Sequence, residues 1–278
     1  MPSEIQEWTV EGTDVTLYVR VAGNLKSGNA VIALHGGPGQ SHHYMRDLEK
    51  LAGPAFSVVT YDQRGVGGSS APPPEPANYE LMHYVEDLEA VRRAFGIDQV
   101  HLLGHSWGGT VAMRYATIYP EKVRSLILVG SGSPTWSGCM AGGGRFMQRV
   151  QALQKDGILP DPLTPDAAFR AYFSDPCFPI EHPDEDAAQT EFSGMANQLT
   201  WTATKGFDFT AEVGQLEHRV LVLFGEDDPA GMPLAEETLA ALRSAEVEFV
   251  PLERCGHFWH ECAGQFYPHV RAFLGLAV

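Results

Sequence analysis

The sequence predicts an α/β protein with a doubly wound, mostly parallel sheet and a helical cap inserted between two of its strands. Three observations support this prediction. Short apolar runs alternate along the chain with segments whose apolar residues recur at helical spacing. The alternation stops after Ser131 and resumes at Arg219. The interval between them is rich in Gly, Pro and aromatic residues and holds no run of the core-strand type.

The first third of the chain predicts two exposed strands followed by buried ones. Residues 4–10 and 15–23 alternate apolar and polar side chains, as half-exposed antiparallel strands do. Residues 30–37 and 56–65 are continuous apolar runs that end in glycine-rich loops, which is typical of buried parallel strands. The segment 42–53 between them is predicted to be helical.

The remaining core elements alternate regularly on both sides of the interruption. They are helix 79–97, strand 99–104, helix 108–120 and strand 123–131, then strand 219–225, helix 233–244, strand 247–253 and helix 260–275. Within the interruption, residues 140–157 and 165–175 are helical pieces. We therefore predict a core of residues 1–132 and 213–278 and a helical cap of residues 133–212.

The composition is acidic. The chain carries 19 basic and 35 acidic residues, for a net charge of −16. Such a surface repels phosphate backbones and anionic headgroups, so we expect neither a nucleic-acid partner nor a membrane. No apolar run approaches the ~20 residues that span a bilayer, and the N-terminus lacks the features of a signal peptide. We expect a cytoplasmic protein, and the composition leaves its oligomeric state open.

The cysteines suggest no metal or redox chemistry. The four are scattered and form no C-x-x-C pair, so the spacing predicts neither a zinc site nor a disulfide framework. Cys255 is expected to be a buried structural thiol. No glycine-rich phosphate loop is present, and we expect no cofactor.

Residues 104–108 form a G-x-S-x-G pattern between a predicted buried strand and a predicted helix. In that context the pattern indicates a nucleophile elbow, a strained turn that needs small residues on both sides of the serine. The serine then lies at a helix N-terminus, where free N–H groups favour negative charge. An ordinary turn serine would need no such clearance. We predict that Ser106 is a nucleophile.

A serine hydroxyl needs a base to take its proton. In this architecture an acid and then a histidine follow the serine along the chain. The loop after strand 219–225 offers Asp227 and Asp228, which the charge pattern alone does not separate. The loop after the last strand offers His257, which we predict to be the general base and then the general acid. The aspartate would hold the imidazole of His257 in the required tautomer.

Three neighbouring residues are alternatives to this assignment. His260 is expected to pack or to face solvent in the final helix, and its spacing from His257 matches no zinc motif. Cys255 could act as a nucleophile beside a histidine, but no elbow presents it. His105 precedes the serine and is expected to point away from it as a packing residue.

Attack on a carbonyl places negative charge on its oxygen, which needs donors already in place. One donor is the backbone N–H of Trp107, the residue after the nucleophile. The second should come from the loop at 35–39, His-Gly-Gly-Pro-Gly. Glycines there allow the backbone to approach the substrate, and the proline stiffens the turn.

Together these residues resemble the α/β-hydrolase superfamily and, within it, the proline iminopeptidase-like serine peptidases. The matching motifs are His-Gly-Gly-Pro-Gly at 35–39, Asp-Gln-Arg-Gly-Val-Gly-Gly-Ser at 62–69 and Gly-His-Ser-Trp-Gly-Gly at 104–109. The resemblance covers about residues 1–132 and 218–278, and it implies the α/β-hydrolase fold with an inserted cap.

The resemblance also assigns residues. It makes Gly37 and Trp107 the donors of the oxyanion hole. It places the acid three residues after the glycine that ends a strand, which favours Asp228 over its neighbour. It further implies that the peptide bond between Gly37 and Pro38 is cis.

Exopeptidases of this family bind the free amino terminus of the substrate with acidic residues of the cap, sometimes with one beside the catalytic acid. Here Pro229 follows Asp228, so that neighbour is missing. The acids available in the cap are Glu181, Glu185, Glu191 and Glu212. We favour Glu191, which lies in a predicted helical segment; a solvated surface acid is the alternative.

Three functions are compatible with these residues. The first is a serine aminopeptidase that releases N-terminal proline or another small residue from a short peptide or small molecule. The second is an esterase, lactonase or carbon–carbon bond hydrolase for a small apolar substrate, which the aromatic cap and Pro229 would suit. The third is a binding protein that keeps the fold without turnover.

Overall fold

The computed structural model describes residues 5–178 and 190–277. Eight strands form one sheet: β1 (Ile5–Glu11), β2 (Thr16–Gly23), β3 (Ala30–Leu34), β4 (Ser57–Tyr61), β5 (Val100–His105), β6 (Val123–Val129), β7 (Arg219–Gly225) and β8 (Glu246–Leu252). The α-helices of the described residues are α1 (Leu81–Ala94), α2 (Trp107–Ile118), α3 (Trp136–Lys155), α4 (Pro165–Arg170), α5 (Gly194–Ala203), α6 (Thr210–Val213), α7 (Met232–Ala241) and α8 (Ala263–Leu274).

The strands lie in the order β1-β2-β4-β3-β5-β6-β7-β8. The pairs β1–β2 and β2–β4 are antiparallel, and all others are parallel. The predicted class, a mostly parallel sheet in an α/β protein, is therefore confirmed. Strand β2 alternates in burial along most of its length, while β3, β4 and β5 are buried throughout, as their sequences predicted.

Helices cover both faces of the sheet. Side chains alternate across a strand, so Ile32 and Leu102 pack in one apolar layer while Val31 and Leu103 pack in the other. The first layer includes residues of α1 and α2, and the second includes residues of α8. The parallel strands bring their carboxyl ends to one edge, where the loops that follow them can meet.

No strand of the sheet lies between Val129 and Arg219 in the described part of that interval. Helices α3, α4, α5 and α6 lie there instead, which agrees with an inserted helical region. The domain boundaries at 132 and 213 stay a prediction. Among the described residues, no helix is both long and apolar enough to cross a membrane.

Two smaller expectations need correction or refinement. Cys255 is not a free thiol, because it forms a disulfide with Cys262. The spacing of seven residues gave no signal, and a short 3₁₀ helix at Trp259–Cys262 turns the chain so that the two Cα atoms lie 5.6 Å apart. The segment predicted as a helix at 42–53 is a 3₁₀ helix over His42–Leu51.

Buried His101 makes stability depend on pH. Its Nδ1 lies 2.7 Å from Oγ of Ser125, and burial, with Arg124 and Arg219 nearby, lowers its pKa to about 4. The unfolded chain takes up this proton below pH ~6.5, whereas the folded chain does so only near its own lower pKa. The free energy of unfolding should therefore fall as the pH falls through this window.

The variant His101→Gln isolates this contribution. We expect the loss of unfolding free energy between pH 7.5 and 4.5 to be roughly 2 kcal/mol smaller in the variant than in the wild type. Urea unfolding of both proteins at the two pH values measures the difference. If both proteins lost the same unfolding free energy between the two pH values, His101 would not be the source of this pH dependence, since every other titrating group is common to the two proteins.

Candidate active site

Ser106 lies at the sharp turn between β5 and α2. Its backbone has φ 53° and ψ −123°, a region that costs a non-glycine residue about 1–3 kcal/mol. The turn is held by hydrogen bonds: N–H of Ser106 donates to O of Val129 at 3.1 Å, and its own O accepts from N–H of Gly109 and Gly132 at 2.9 and 2.8 Å. This strained conformation is the elbow that the sequence pattern predicts.

The glycines on either side of Ser106 are required by close backbone contacts. A Cβ at Gly104 would lie 2.5 Å from the carbonyl oxygen of Gly108. A Cβ at Gly108 would overlap the carbonyl oxygen of Leu34 at the end of β3. The small residues therefore allow the elbow and α2 to pack directly on the sheet.

His257 and Asp228 form a buried pair beside the elbow. Nδ1 of His257 lies 2.7 Å from Oδ2 of Asp228, and the two residues are 7% and 4% exposed. The other carboxylate oxygen, Oδ1, accepts from N–H of Ala230 at 2.8 Å. Asp227 is exposed and instead accepts from Oγ of Ser174 at 2.6 Å. The geometry thus brings Asp228 to the histidine and leaves its neighbour outside.

The loop after β8 that carries His257, here called the histidine loop, also contacts the elbow. Nε2 of His105 lies 3.0 Å from the carbonyl oxygen of His257, and the two rings are 4.7 Å apart. Among the described residues no hydrogen bond joins Oγ of Ser106 to the His257 ring. Catalytic hydrogen bonds are often long before substrate binds.

The loop at 35–39 lies against Ser106. A Cβ at Gly36 would be 2.9 Å from Cβ of Ser106, and the bond from Gly37 to Pro38 is cis, as the resemblance implied. Within the described part of the chain, no hydrogen bond uses the backbone N–H of Gly37 or Trp107. Both N–H groups therefore remain available as donors, one on the residue after Ser106 and one in the loop that lies against Ser106.

Gln63 joins this loop to the elbow, a role that the sequence did not reveal. Its Nε2 donates to the carbonyl oxygen of His35 at 2.8 Å, and its Oε1 accepts from Nε1 of Trp107 at 3.1 Å. The residue belongs to the segment 62–69 that carried the resemblance, but nothing in the sequence indicated what its amide contacts.

His35 and His105 are two buried histidines beside the site, and both are neutral. Burial lowers the pKa of His35 to about 4 and the pKa of His105 well below its usual range. His260 lies in the short 3₁₀ helix before α8, where its Nε2 is 3.0 Å from the carbonyl oxygen of Tyr44. In the described ranges, no three His, Cys, Asp or Glu side chains are grouped to hold a metal ion.

One cap segment rests on the histidine loop. N–H of His257 donates to the carbonyl oxygen of Tyr172 at 2.8 Å, and the two rings stack at 5.0 Å. The carboxylate of Glu261 accepts from N–H of Ser174 and N–H of Gly256, both at 2.8 Å. The cap therefore fixes the backbone that carries His257.

A second cap segment rests on the loop at 35–39. The carbonyl oxygen of Glu191 accepts from N–H of Ser41 at 2.9 Å, and Nδ2 of Asn197 donates to the carbonyl oxygen of Pro38 at 2.7 Å. Glu191 was expected in a helix, which is wrong: α5 begins only at Gly194, because the Oγ of Ser193 caps it. The glutamate precedes it in an extended segment, with its side chain exposed.

The other cap acids differ in position. Glu212 lies on α6 and pairs with Arg114 at 3.5 Å on the surface. Glu181 and Glu185 lie outside the described residues. Of the two candidates within the described residues, Glu191 is the one whose backbone lies beside the loop at 35–39.

The fold and these loops define an α/β hydrolase, and the comparisons agree. The model of the alpha/beta hydrolase fold family matches residues 29–261, so the chain belongs to that family. It is 30% identical over 261 residues to the proline iminopeptidase of Lactobacillus delbrueckii subsp. lactis, covering 86% of this chain and 87% of that one. The chain is thus related to proline iminopeptidases across most of its length.

Other similarities are shorter or more distant. The proline iminopeptidase of Lactobacillus delbrueckii subsp. bulgaricus is 44% identical over 114 residues, which span 40% of this chain and 39% of that relative. The crystal structure of a proline iminopeptidase-related protein from Thermus thermophilus aligns with a TM-score of 0.75 at 25% identity, over 98% of both chains.

Proposed function

We propose that this protein is a serine hydrolase in which Ser106 is the nucleophile, His257 the general base and Asp228 the residue that orients it. The observation that carries the proposal is the strained elbow of Ser106 beside the buried Asp228–His257 pair. Because the carboxylate can only accept, Nδ1 of His257 carries the proton and Nε2 keeps its lone pair. An imidazole in that tautomer can take the hydroxyl proton.

The reaction proceeds through an acyl-enzyme. Oγ of Ser106 attacks the substrate carbonyl carbon while Nε2 of His257 takes its proton. The carbonyl electron pair moves to the oxygen, which the N–H groups of Gly37 and Trp107 stabilise. The intermediate collapses as the imidazolium gives its proton to the leaving group. Water, deprotonated by the same imidazole, then attacks the carbonyl carbon of the ester. The imidazolium returns this proton to Oγ as the bond to Ser106 breaks.

We propose an aminopeptidase that releases N-terminal proline or another small residue. Three features support this substrate class. The relative at 30% identity is a proline iminopeptidase. The net charge of −16 favours a cationic amino terminus. The backbone of Glu191 is hydrogen-bonded to Ser41, two residues beyond the loop at 35–39. We propose that the exposed carboxylate of Glu191 receives the substrate ammonium beside this loop.

An esterase, lactonase or carbon–carbon hydrolase is the second candidate. Phe146 stacks on Tyr172 at 3.9 Å, and Tyr172 stacks on the His257 ring. This aromatic column gives the imidazole an apolar wall suited to an uncharged substrate. Pro229 occupies the position after the acid, where an ammonium-binding carboxylate could otherwise stand.

A binding protein without turnover is the third candidate. We keep a small-molecule or short-peptide ligand and a cytoplasmic location as predictions.

The substrate class is tested by comparing kcat/KM for proline p-nitroanilide, its N-acetyl derivative and p-nitrophenyl butyrate. We expect fast cleavage of the free anilide, which acetylation of the proline nitrogen abolishes. Fast ester cleavage with a silent anilide would instead establish the second candidate. Turnover of none of the three, with no reaction toward a phosphonate probe, would favour the binding protein.

Glu191→Gln tests the proposed ammonium site. Loss of a charge-assisted hydrogen bond should raise KM for proline p-nitroanilide about tenfold and leave ester hydrolysis unchanged. Glu212→Gln removes the same charge from the cap at a position on the surface and is the matched control. Equal effects of the two substitutions would show that only the net charge of the cap matters.

A further inference from the structure

Tyr44 and His105 form a buried hydrogen-bonded pair that the proposed mechanism does not use. The two residues are 1% and 0% exposed, and Oη of Tyr44 lies 2.7 Å from Nδ1 of His105. Tyr44 belongs to the 3₁₀ helix that follows the loop at 35–39, and His105 is the residue before Ser106. From its sequence context, His105 was expected only to pack.

The direction of each hydrogen bond in this pair is fixed by its outer partners. N–H of Gly36 can only donate, and it donates to Oη of Tyr44 at 2.6 Å. The carbonyl oxygen of His257 can only accept, so Nε2 of His105 carries a proton and donates to it at 3.0 Å. Nδ1 of the neutral His105 is then an acceptor, and the hydroxyl of Tyr44 donates to it.

The protonation states agree with this assignment. Burial lowers the pKa of His105 well below its usual range and raises the pKa of Tyr44 above its usual range. Both side chains are therefore neutral, and each polar atom of the pair has a partner. Fully satisfied buried networks hold their members in a single arrangement.

We propose that Tyr44 and His105 are positioning residues that set the distances between the loop at 35–39, the elbow and the histidine loop. The pair joins Gly36, which precedes the donor Gly37, to the backbone of His257, and it passes through the residue before Ser106. It is a direct link between the loops that supply all three groups of the reaction. This inference rests on the proposed function.

The surrounding packing allows the hydroxyl to be removed alone. The ring of Tyr44 contacts Phe258 edge-on at 5.2 Å and Trp259 at 6.0 Å. Tyr44→Phe keeps these contacts and removes a single oxygen atom. Tyr115→Phe is the matched control, because it lies on α2, its buried hydroxyl donates to Glu89 at 2.6 Å, and it belongs to none of the loops of the site.

The test separates positioning from simple stability. In Tyr44→Phe we expect kcat to fall at least about tenfold while KM changes less than about threefold, because a small displacement of the reacting groups raises the barrier without weakening substrate binding. The affinity for an alkylboronic acid, which forms a tetrahedral adduct with the serine, should fall by the same factor as kcat. Tyr115→Phe should lower the denaturation midpoint and leave kcat and boronate affinity unchanged.

Substitutions of His105 provide a second, independent test. His105→Gln keeps one acceptor and one donor, whereas His105→Leu keeps neither, so glutamine should retain more of kcat than leucine. The double variant Tyr44→Phe/His105→Leu should lose no more than His105→Leu alone, because the two act as one unit. If Tyr44→Phe does not fold, the comparison of His105→Gln with His105→Leu tests the proposal instead, with kcat, KM and boronate affinity as the measured quantities.

The proposal is overturned if Tyr44→Phe keeps wild-type kcat, if it and Tyr115→Phe lose kcat equally, or if the two His105 variants are equally active. Retention of activity by Ser106→Ala would overturn the proposed function instead. Wild-type activity that depends on Ser106, together with a Tyr44→Phe substitution that has no effect, would remove the positioning role and leave the serine mechanism in place.

Discussion

Ser106→Ala should lower kcat at least about 10⁴-fold on any substrate that the wild type cleaves, with the fold retained. The alanine has no atom that can be acylated, so only the oxyanion donors and substrate binding remain. The folded structure should survive because the elbow is held by backbone hydrogen bonds to Val129, Gly109 and Gly132. Steady-state kinetics and a thermal melt measure the two properties.

Ser244→Ala controls for the loss of a serine hydroxyl. Its Oγ donates to the carbonyl oxygen of Gly214, in a loop that carries no residue of the proposed site. We expect wild-type kcat in that variant. An active Ser106→Ala protein would contradict the nucleophile assignment.

Asp228→Asn should reduce kcat about 10⁴-fold by imposing the wrong histidine tautomer. Oδ1 of residue 228 accepts from N–H of Ala230, so the asparagine should keep its oxygen there and turn its NH₂ toward His257. Nδ1 would then have to accept, which leaves the proton on Nε2. That nitrogen could no longer take the proton of Ser106.

Asp227→Asn is the matched control for this substitution. The residue is adjacent in sequence and identical in chemistry, but it is exposed and contacts Ser174 rather than the histidine. We expect its kcat to stay within about threefold of the wild type. If Asp227→Asn were inactive and Asp228→Asn active, the acid would have been assigned to the wrong neighbour.

Local sequence features were sufficient for much of the fold. The continuous apolar runs predicted β3 and β4 because a strand buried on both faces needs apolar side chains at successive positions. The elbow at Ser106 was predictable because its strain imposes small residues at fixed spacing, and overlap at Gly104 and Gly108 is the physical reason.

Contacts between segments that are distant in the chain could not be predicted from local sequence patterns. Asp227 and Asp228 are equivalent in charge, and only the turn after β7 directs one toward His257. The disulfide of Cys255 and Cys262 depends on a short 3₁₀ helix rather than on a motif. The bridging amide of Gln63 depends on three separate loops meeting at one edge of the sheet.

The cap was the least predictable part for a related reason. Its segments beside the site form hydrogen bonds with core loops, and such long-range contacts leave no local pattern in the sequence. Glu191 lies in an extended segment because its backbone pairs with Ser41, although its sequence suggested a helix. Gly39 has φ 105° and a Cβ there would lie 2.7 Å from the carbonyl oxygen of Ser193, so even this glycine of the loop is explained by the cap.

The most direct test of the serine mechanism is mass spectrometry of the protein after reaction with a fluorophosphonate. We predict one adduct per chain, on the peptide that contains Ser106, with no adduct in Ser106→Ala and slow labelling in Asp228→Asn. An enzyme that hydrolyses its substrate but is labelled elsewhere, or not at all, would contradict the mechanism.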